Sequence, residues 1–254
     1  MIEFFQRQFR RLRRFIRFAA VLLRGQAEFK RLQRSGGVSV ATRVQLLQGW
    51  CRGSLAALDV QVTVEGIAPT SGLLASNHLS YLDILVYSSV LPCAFVSKAE
   101  VRGWLFFGQF AEYGATIFVQ REDRAALAHA NQQVVEYLKN GVAVVLFPEG
   151  TTTDGARVLR FHSSMLQPAI EAAAAVTPCA ISYEVSGGDE GDVAWWGDLT
   201  LGPHAWNLLG KQSIRVKVVF GNAIGAVEDR KKLSDMARVG VVGLRAAKYL
   251  TLSS

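Results

Sequence analysis

From residue 59 onward, short apolar runs alternate with longer segments whose apolar residues recur at helical spacing. Residues 59–65 alternate apolar and polar side chains, as a half-buried strand does, whereas 73–76 and 142–147 are continuously apolar or small, which is typical of buried strands. The predicted strands are 59–65, 73–76, 94–97, 115–120, 142–147, 179–184 and 214–220. The predicted helices are 41–58, 81–91, 100–110, 124–139, 163–175 and a last one from about residue 229. This alternation predicts an α/β fold, a single domain with a mostly parallel sheet flanked by helices.

The N-terminal arm shows a different pattern. Five large apolar residues fall at helical steps with arginines between them: Phe5, Phe9, Leu12, Phe15 and Ile16. Residues 1–34 carry ten Lys/Arg against two acidic residues, although the net charge of the whole chain is only +7. A basic amphipathic helix of this kind is suited to lying in the interface of an anionic membrane. Its uncharged run 18–23 is far shorter than the about 20 residues that span a bilayer.

Two further interpretations of the arm stay open, a nucleic-acid-binding segment and a solvated helix packed on the body. No recognised nucleic-acid-binding motif follows the arm, and no small-residue cleavage site marks a removed signal peptide. We therefore predict two parts, basic amphipathic membrane-binding helices at 1–58 and an α/β domain at 59–254, with no nucleic-acid partner.

The spacing of the cysteines and histidines argues against metal sites and paired-cysteine motifs. The chain has three scattered cysteines and four histidines, with no Cys-x-x-Cys pair and no metal-ligand spacing. We expect buried free thiols and no metal site. The serine-hydrolase Gly-x-Ser-x-Gly, the dinucleotide-binding Gly-x-Gly-x-x-Gly and the phosphate-binding P-loop are also absent.

The first chemical candidate follows the predicted strand 73–76. Asn77-His78 stands at the strand end, and Asp83 opens the next apolar run. A carboxylate bonded to one imidazole nitrogen fixes the tautomer and leaves the other nitrogen to act as a base. The competing interpretation is a helix-capping box, with Ser80 as the N-cap and Asp83 at the third helical position.

Two further polar signals follow predicted strands. Arg121 ends one, and Phe147-Pro148-Glu149-Gly150-Thr151 ends another. Because the carboxyl ends of parallel strands meet at one edge of a sheet, we expect both signals to lie near His78. Each has a plainer interpretation, a surface arginine paired with an acidic neighbour and an ordinary Pro-x-Gly turn.

Taken together, these blocks resemble the lysophospholipid acyltransferase family. The similar segments are the His-four-residues-Asp motif at 78–83, a second block over 95–121, a third at 147–151 and an apolar fourth at 177–181. They cover roughly residues 58–184 in the family's order and spacing.

The resemblance implies an O-acyltransferase in which 59–254 is the acyltransferase domain. His78 would be the general base and Asp83 its orienting partner, with Asn77, Arg121, Phe147, Pro148, Glu149, Gly150 and Thr151 at the substrate. The donor would be acyl-CoA or acyl-carrier protein as a co-substrate, with no other cofactor and no metal. The acceptor would be a lysolipid, foremost 1-acylglycerol-3-phosphate, which would give phosphatidic acid. The expected location is peripheral or monotopic on the cytoplasmic face of the inner membrane.

One departure from the family pattern bears on the acceptor. Family members that act on lysophosphatidate usually carry an arginine after the Gly-Thr of the third block and a Lys/Arg-Gly pair further on. Here Thr152 follows, and the later segment is Phe161-His162-Ser163-Ser164. Lyso-ornithine lipid is therefore the second candidate acceptor, although Arg121 and Arg160 are left as possible phosphate ligands. Two different functions also stay open, a non-catalytic membrane lipid-binding protein and an acyl-thioester hydrolase.

An aromatic segment late in the chain has two interpretations. It contains Trp195-Trp196 and His204-Ala205-Trp206. Tryptophan favours the headgroup level of membranes, but it also packs in protein cores.

Overall fold

The computed structural model describes residues 1–104, 107–120 and 122–250. Its helices are α1 (Ile2–Arg34), α2 (Val40–Ala57), α3 (Leu82–Val90), α4 (Phe107–Tyr113), α5 (Arg124–Lys139), α6 (Gln167–Glu171), α7 (Leu201–Leu209) and α8 (Arg230–Leu250). Its strands are β1 (Val60–Glu65), β2 (Leu73–Ser76), β3 (Cys93–Lys98), β4 (Ile117–Val119), β5 (Ala143–Leu146), β6 (Val176–Val185) and β7 (Ile214–Phe220). Short 3-10 turns lie at Ala99–Gly103, Ser163–Leu166 and Glu190–Asp192.

The strands form one seven-stranded sheet in the order β1-β7-β6-β2-β5-β3-β4. Every neighbouring pair is parallel except β6 and β7, which run antiparallel. The predicted fold class is confirmed. Strands β2 and β5 are buried at every residue because helices cover both faces of the sheet. One face packs against α2, α3 and α7, and the other against α5, α6 and α8.

Two predicted helices differ from the structure, and one observed helix was not predicted. The predicted helix 100–110 is a 3-10 turn followed by the separate helix α4, and its residues 105–106 lie outside the described residues. The helix predicted over 163–175 ends at Glu171. Ala173 has a φ of 50°, which lies outside the right-handed helical region, so the helix cannot continue through it. Helix α7 was not predicted, because Gly202-Pro203 resembles a turn signal although proline is favoured at a helix start.

The N-terminal arm is helical as predicted, and it docks on the body through its arginines. Arg14 is 1% exposed, and its guanidinium donates to the carbonyl oxygens of Leu209, Lys211 and Gln212 at the end of α7. A cation is stabilised at this place because the last carbonyl groups of a helix carry partial negative charge. Asp59 accepts from Arg13, Arg14 and Arg17 at 2.6, 3.0 and 2.9 Å.

The opposite face of α1 is apolar and exposed. Phe5, Phe9, Leu12 and Ile16 are 63%, 69%, 55% and 57% exposed. The six arginines between residues 7 and 17 therefore bind acceptors in the protein while the apolar stripe faces outward, which is the reverse of ordinary surface helices. Among the residues that the structure describes, no helix is both long enough and apolar enough to cross a bilayer.

Helix α2 belongs to the same core as the sheet. Its Leu47, Trp50 and Leu55 pack in one cluster with Leu74 of β2 and Val145 of β5. The division of the chain at residue 58 stays a prediction.

Arg14 and Arg13 give a matched test of how the arm is held. Arg14→Ala removes a buried guanidinium with four acceptor groups, and we expect a loss of about 3 kcal/mol in the free energy of unfolding. Arg13→Ala removes a half-exposed partner of the same Asp59, and we expect a loss below about 1 kcal/mol. Urea denaturation of both variants measures the difference, and equal losses would contradict this docking.

Candidate active site

Three polar segments meet at the carboxyl edge of the sheet. Asn77-His78 follows β2, residues 147–151 follow β5, and Lys98 is the last residue of β3. These strands are neighbours in the order β2-β5-β3 and run parallel, so their ends face the same crevice. Two of the three segments predicted to meet, 77–78 and 147–151, therefore lie at the same crevice, and Lys98 joins them. Arg121, the third predicted signal, lies outside the described residues.

The centre of the site is a histidine–aspartate pair. The Nδ1 atom of His78 lies 2.7 Å from Oδ2 of Asp83. The same oxygen accepts the backbone N–H groups of Leu79 at 2.8 Å and Ser80 at 3.0 Å. Asp83 is completely buried, whereas the side chain of His78 is 20% exposed. Asp83 thus holds Nδ1 and leaves Nε2 as the ring nitrogen that can take a proton.

Residues 77–83 had two interpretations, a histidine with an orienting carboxylate and a helix-capping box. Asp83 makes contacts of both kinds. Asp83 accepts from the Ser80 N–H, as the acidic residue of a capping box does. The predicted N-cap is displaced by one residue: α3 is capped by Tyr81, with no side-chain capping bond.

Phe147 packs on one face of the His78 imidazole, and two hydrogen bonds hold the His78 backbone. The ring of Phe147 stacks on it with centroids 3.9 Å apart and planes 11° apart. The backbone N–H of His78 donates to Oε1 of Glu149 at 2.9 Å, and its carbonyl accepts from the Thr153 N–H at 3.0 Å. These contacts fix the base without using its second ring nitrogen.

Glu149 is 3% exposed and binds the chain's own backbone. Its second oxygen accepts from the Leu159 N–H at 2.7 Å, so the carboxylate ties the 149–159 segment to His78. Burial raises the pKa of Glu149, and the N–H groups of Leu159 and His78 oppose that shift. Asn77 is equally buried, and its amide exchanges two hydrogen bonds with the backbone of Ile181 on β6.

A cavity of about 500 Å³ opens beside His78. Its described lining is mostly apolar and comes from both faces of the sheet, with Phe18 and Leu22 of α1, Trp50 of α2, and Ala130 and Val134 of α5 among the wall residues. Cavities of this size hold ligands as large as drug molecules or lipid chains.

The predicted substrate-binding residues divide into two groups. Phe147, Gly150 and Thr151 line the cavity. Asn77, Pro148 and Glu149 are not among the described lining residues, and each binds backbone: the carbonyl of Pro148 accepts from the His162 N–H at 2.8 Å. Arg160, the second possible phosphate ligand, is exposed. Their contacts with a substrate stay predictions.

Several residues that line the cavity were not predicted to lie at the site. Lys98 ends β3 one residue beyond the predicted strand, and its position at the strand end was the available signal. His162 and Ser164 line the cavity from the segment before α6. Trp195 also lines the cavity, and its backbone N–H donates to the Leu79 carbonyl at 2.7 Å. This contact joins distant segments, so no pattern near residue 195 indicates it.

The residues of the aromatic segment differ in their surroundings, and its placement at a membrane interface stays a prediction. Trp195 packs against Trp104 and Tyr81, with ring centroids 5.2 and 6.1 Å apart. Trp196 and Trp206 are 47% and 45% exposed.

The cysteines are free and buried, as expected. Across the described ranges, no group of three or more His, Cys, Asp and Glu side chains is placed to hold a metal ion.

The structure is an α/β fold in which the His78–Asp83 pair lies at the wall of a mostly apolar cavity. The acyltransferase family model matches residues 59–182. The chain is 36% identical to the lyso-ornithine lipid O-acyltransferase of Rhizobium meliloti, over 80% of this chain and 73% of that one. It is 32% identical to the 1-acyl-sn-glycerol-3-phosphate acyltransferase of Neisseria gonorrhoeae, over 89% of this chain and 90% of that one. The chain belongs to the acyltransferase family, and it is an acyltransferase.

A solved structure supports the fold. The 1-acyl-sn-glycerophosphate acyltransferase of Thermotoga maritima superposes with a TM-score of 0.70, covering 97% of this chain and 98% of that one. The two chains are 20% identical, so this likeness concerns the fold alone.

Proposed function

We propose that the enzyme moves a fatty acyl group from an acyl thioester to the free hydroxyl of a lysophospholipid, foremost 1-acylglycerol-3-phosphate, to give phosphatidic acid. The observation that carries the proposal is the His78 imidazole, held at Nδ1 by buried Asp83 at the wall of an apolar cavity. This arrangement supplies a general base with a fixed tautomer beside space for an acyl chain.

The chemistry follows from that geometry. Nε2 of His78 removes the proton of the acceptor hydroxyl, and the oxygen attacks the thioester carbonyl. The tetrahedral intermediate then expels the thiolate, which leaves readily because a thiol pKa is about 8.5. The imidazolium returns its proton to the thiolate, and Asp83 stabilises that imidazolium while it exists.

The donor is acyl-CoA or acyl-carrier protein, which acts as a co-substrate. The cavity wall near His78 is apolar, with Phe95, Phe147 and Leu146 among its residues. An acyl chain in this cavity would lie with its thioester carbonyl at the polar mouth near His78 and Thr151. No other cofactor takes part in these steps.

The acceptor head group is proposed from the polar lining. Lys98 lines the cavity at the carboxyl edge and can pair with a phosphate. The second candidate acceptor is lyso-ornithine lipid. It is favoured by the uncharged Thr152 and Ser164 in that lining and by the similarity to the Rhizobium meliloti enzyme.

The proposed membrane attachment rests on α1. Six of its arginines already have acceptors in the protein: Arg7, Arg10, Arg11, Arg13, Arg14 and Arg17. The outward stripe of Phe5, Phe9, Leu12 and Ile16 is then the surface that enters the lipid. Burying each such side chain contributes about 1.5–3 kcal/mol. This supports peripheral attachment to the membrane, and we place it on the cytoplasmic face, where acyl thioesters are found.

The activity is tested by an acyl-transfer assay with labelled palmitoyl-CoA in mixed micelles. Lysophosphatidate, lyso-ornithine lipid and no acceptor are offered in parallel to wild type and His78→Ala. We expect an acylated product with lysophosphatidate, and a loss of at least about a thousandfold in His78→Ala because the base is gone.

Each remaining result has a definite meaning. Product with lyso-ornithine lipid alone would establish the second acceptor, and free fatty acid without any acceptor would indicate a thioester hydrolase. Undiminished transfer by His78→Ala would contradict the mechanism. Absence of product is followed by the same panel with acyl-carrier protein as donor, and failure there too would favour a lipid-binding protein.

Membrane attachment is tested by sedimentation with phosphatidylethanolamine–phosphatidylglycerol vesicles. We expect the double variant Phe9→Ser, Leu12→Ser to bind at least about tenfold more weakly, because two outward apolar side chains are lost. Ile67→Ser is the matched control, since Ile67 is 90% exposed on the body, away from α1. Equal binding by the double variant and the control would contradict a role for the α1 stripe.

A further inference from the structure

The carboxylate of Asp83 has one hydrogen bond that the proposed mechanism does not use. Oδ2 receives His78 Nδ1 and two backbone N–H groups. Oδ1 receives the hydroxyl of Tyr183, which donates to it at 2.6 Å. Among the described residues, the side chain that donates to Oδ1 is Tyr183. Tyr183 and Asp83 are 1% and 0% exposed, so water does not replace the hydroxyl.

Tyr183 is itself held firmly on β6. Its backbone N–H donates to Oε1 of Glu190 at 2.7 Å. Arg245 of α8 binds the other oxygen of Glu190 at 2.6 Å and the carbonyl of Ile181 at 2.6 Å. These contacts join β6, the turn at Glu190–Asp192 and the last helix around one tyrosine, so the phenol ring approaches Asp83 from a rigid strand.

The hydroxyl is kept as a donor by its surroundings. Burial raises the pKa of Tyr183 well above its ordinary value, and the negative charge of Asp83 raises it further. Both effects favour the protonated phenol, which can donate to Asp83. A buried tyrosine usually finds some acceptor, but here the acceptor is the carboxylate that orients the base.

We propose that Tyr183 is a positioning residue of the acyl transfer. Its hydroxyl fixes Oδ1 and hence the plane of the carboxylate, which keeps Oδ2 on the Nδ1–H group of His78. This inference rests on the proposed function, in which His78 is the base. It also gives a role to a residue that lies 100 positions after Asp83 in the chain.

Loss of the hydroxyl should change two properties. The carboxylate would rotate more freely about its Cβ–Cγ bond, which misplaces the imidazole and lowers kcat. The proton affinity of the His78–Asp83 pair would rise, because an O–H donor stabilises the carboxylate anion. In the proposed mechanism His78 must be free of a proton at Nε2 to act, so the acidic limb of the pH profile of kcat/KM reports this change.

The other groups around the pair stay the same when the hydroxyl is removed. These titratable or charged groups are Tyr87 on α3, Glu149 after β5, Cys179 on β6, Glu190 in the turn after β6 and Arg245 on α8.

The test compares Tyr183→Phe with Tyr87→Phe in the full-length enzyme. Tyr87 is the matched control: it is fully buried in the same core, and its hydroxyl pairs with Ser76 Oγ at 2.6 Å instead of with Asp83. We expect Tyr183→Phe to lower kcat about tenfold or more with little change in KM, and to move the acidic limb of kcat/KM to higher pH by about half a unit or more. Tyr87→Phe should leave both unchanged.

A second variant retains the tyrosine hydroxyl and should shift the acidic limb of kcat/KM in the opposite direction. Site-specific replacement of Tyr183 by 3-fluorotyrosine retains the ring and the hydroxyl but makes the hydroxyl a stronger donor. We expect the acidic limb to move to lower pH, because the carboxylate anion is stabilised more strongly. Tyr183→Phe is also made in the Asp83→Asn background, where we expect it to have no further effect on kcat.

The outcomes distinguish a failure of the proposed role of Tyr183 from a failure of the proposed function. Equal kcat and equal acidic limbs for Tyr183→Phe and Tyr87→Phe would overturn the role of Tyr183. So would independent, multiplying losses in the Asp83→Asn background, or a fluorotyrosine limb that does not move to lower pH. Wild-type transfer that is lost in His78→Ala establishes the base in the same assay, so a failure of Tyr183 is distinct from a failure of the proposed function.

Discussion

Asp83 is a fully buried carboxylate, and the structure around it is organised to satisfy its charge. Removing such a group from water costs several kcal/mol unless hydrogen bonds and an opposite charge replace the solvent. The turn between β2 and α3 supplies two backbone N–H groups and His78, and β6 supplies the Tyr183 hydroxyl. This requires β6 to lie beside β2, which is the pairing observed in the sheet. The position of the base therefore depends on the strand order and not only on the local motif.

The same dependence appears on the other side of the histidine. Phe147 follows β5, the second neighbour of β2, and its ring stacks on His78. Glu149, two residues later, receives the backbone N–H of His78. The imidazole is thus held from both neighbouring strands, while one ring nitrogen is left for proton transfer. In the proposed mechanism, this rigidity keeps the base in place during attack on the thioester.

Helix α1 connects the cavity with the outer surface of the protein. Its Phe18 and Leu22 line the cavity wall, whereas Phe9 and Leu12 of the same helix face outward. The arginines between these faces bind Asp59 and the end of α7, so they hold the helix on the body. Phe18 and Leu22 line the same cavity as His78, so in the proposed function a lipid bound at this helix lies beside the entrance to the site. The arm and the catalytic site therefore form one functional unit in the proposed function.

Local sequence patterns were sufficient for the parts of the site that depend on local geometry. His78, Asp83 and Phe147 stand at strand ends or in the turn that follows, and strand ends are readable from apolar runs. Tyr183 and Trp195 reach the site from distant segments, so no spacing near His78 could indicate them. Periodicity also predicted the α1 helix without its orientation.

The side of α1 that faces the body was decided by partners that a sequence pattern does not show. Asp59 and the carbonyl groups at the end of α7 attract the arginines, and these acceptors come together only in the folded chain. Helix α7 was not predicted because Gly202-Pro203, near its start, resembles a turn signal. Long-range pairing of charges, and not local propensity, accounts for this difference.

The most direct measurement of the central claim is the tautomer of His78 in the resting enzyme, read from the ring-nitrogen NMR signals of histidine-labelled protein. The chain has four histidines, and His78→Ala assigns the signals of His78. In the neutral form of the ring we expect the proton on Nδ1 and a free Nε2, because the buried carboxylate of Asp83 accepts from Nδ1. A proton on Nε2, or rapid exchange between the two tautomers, would contradict the role of Asp83 as the group that prepares the base.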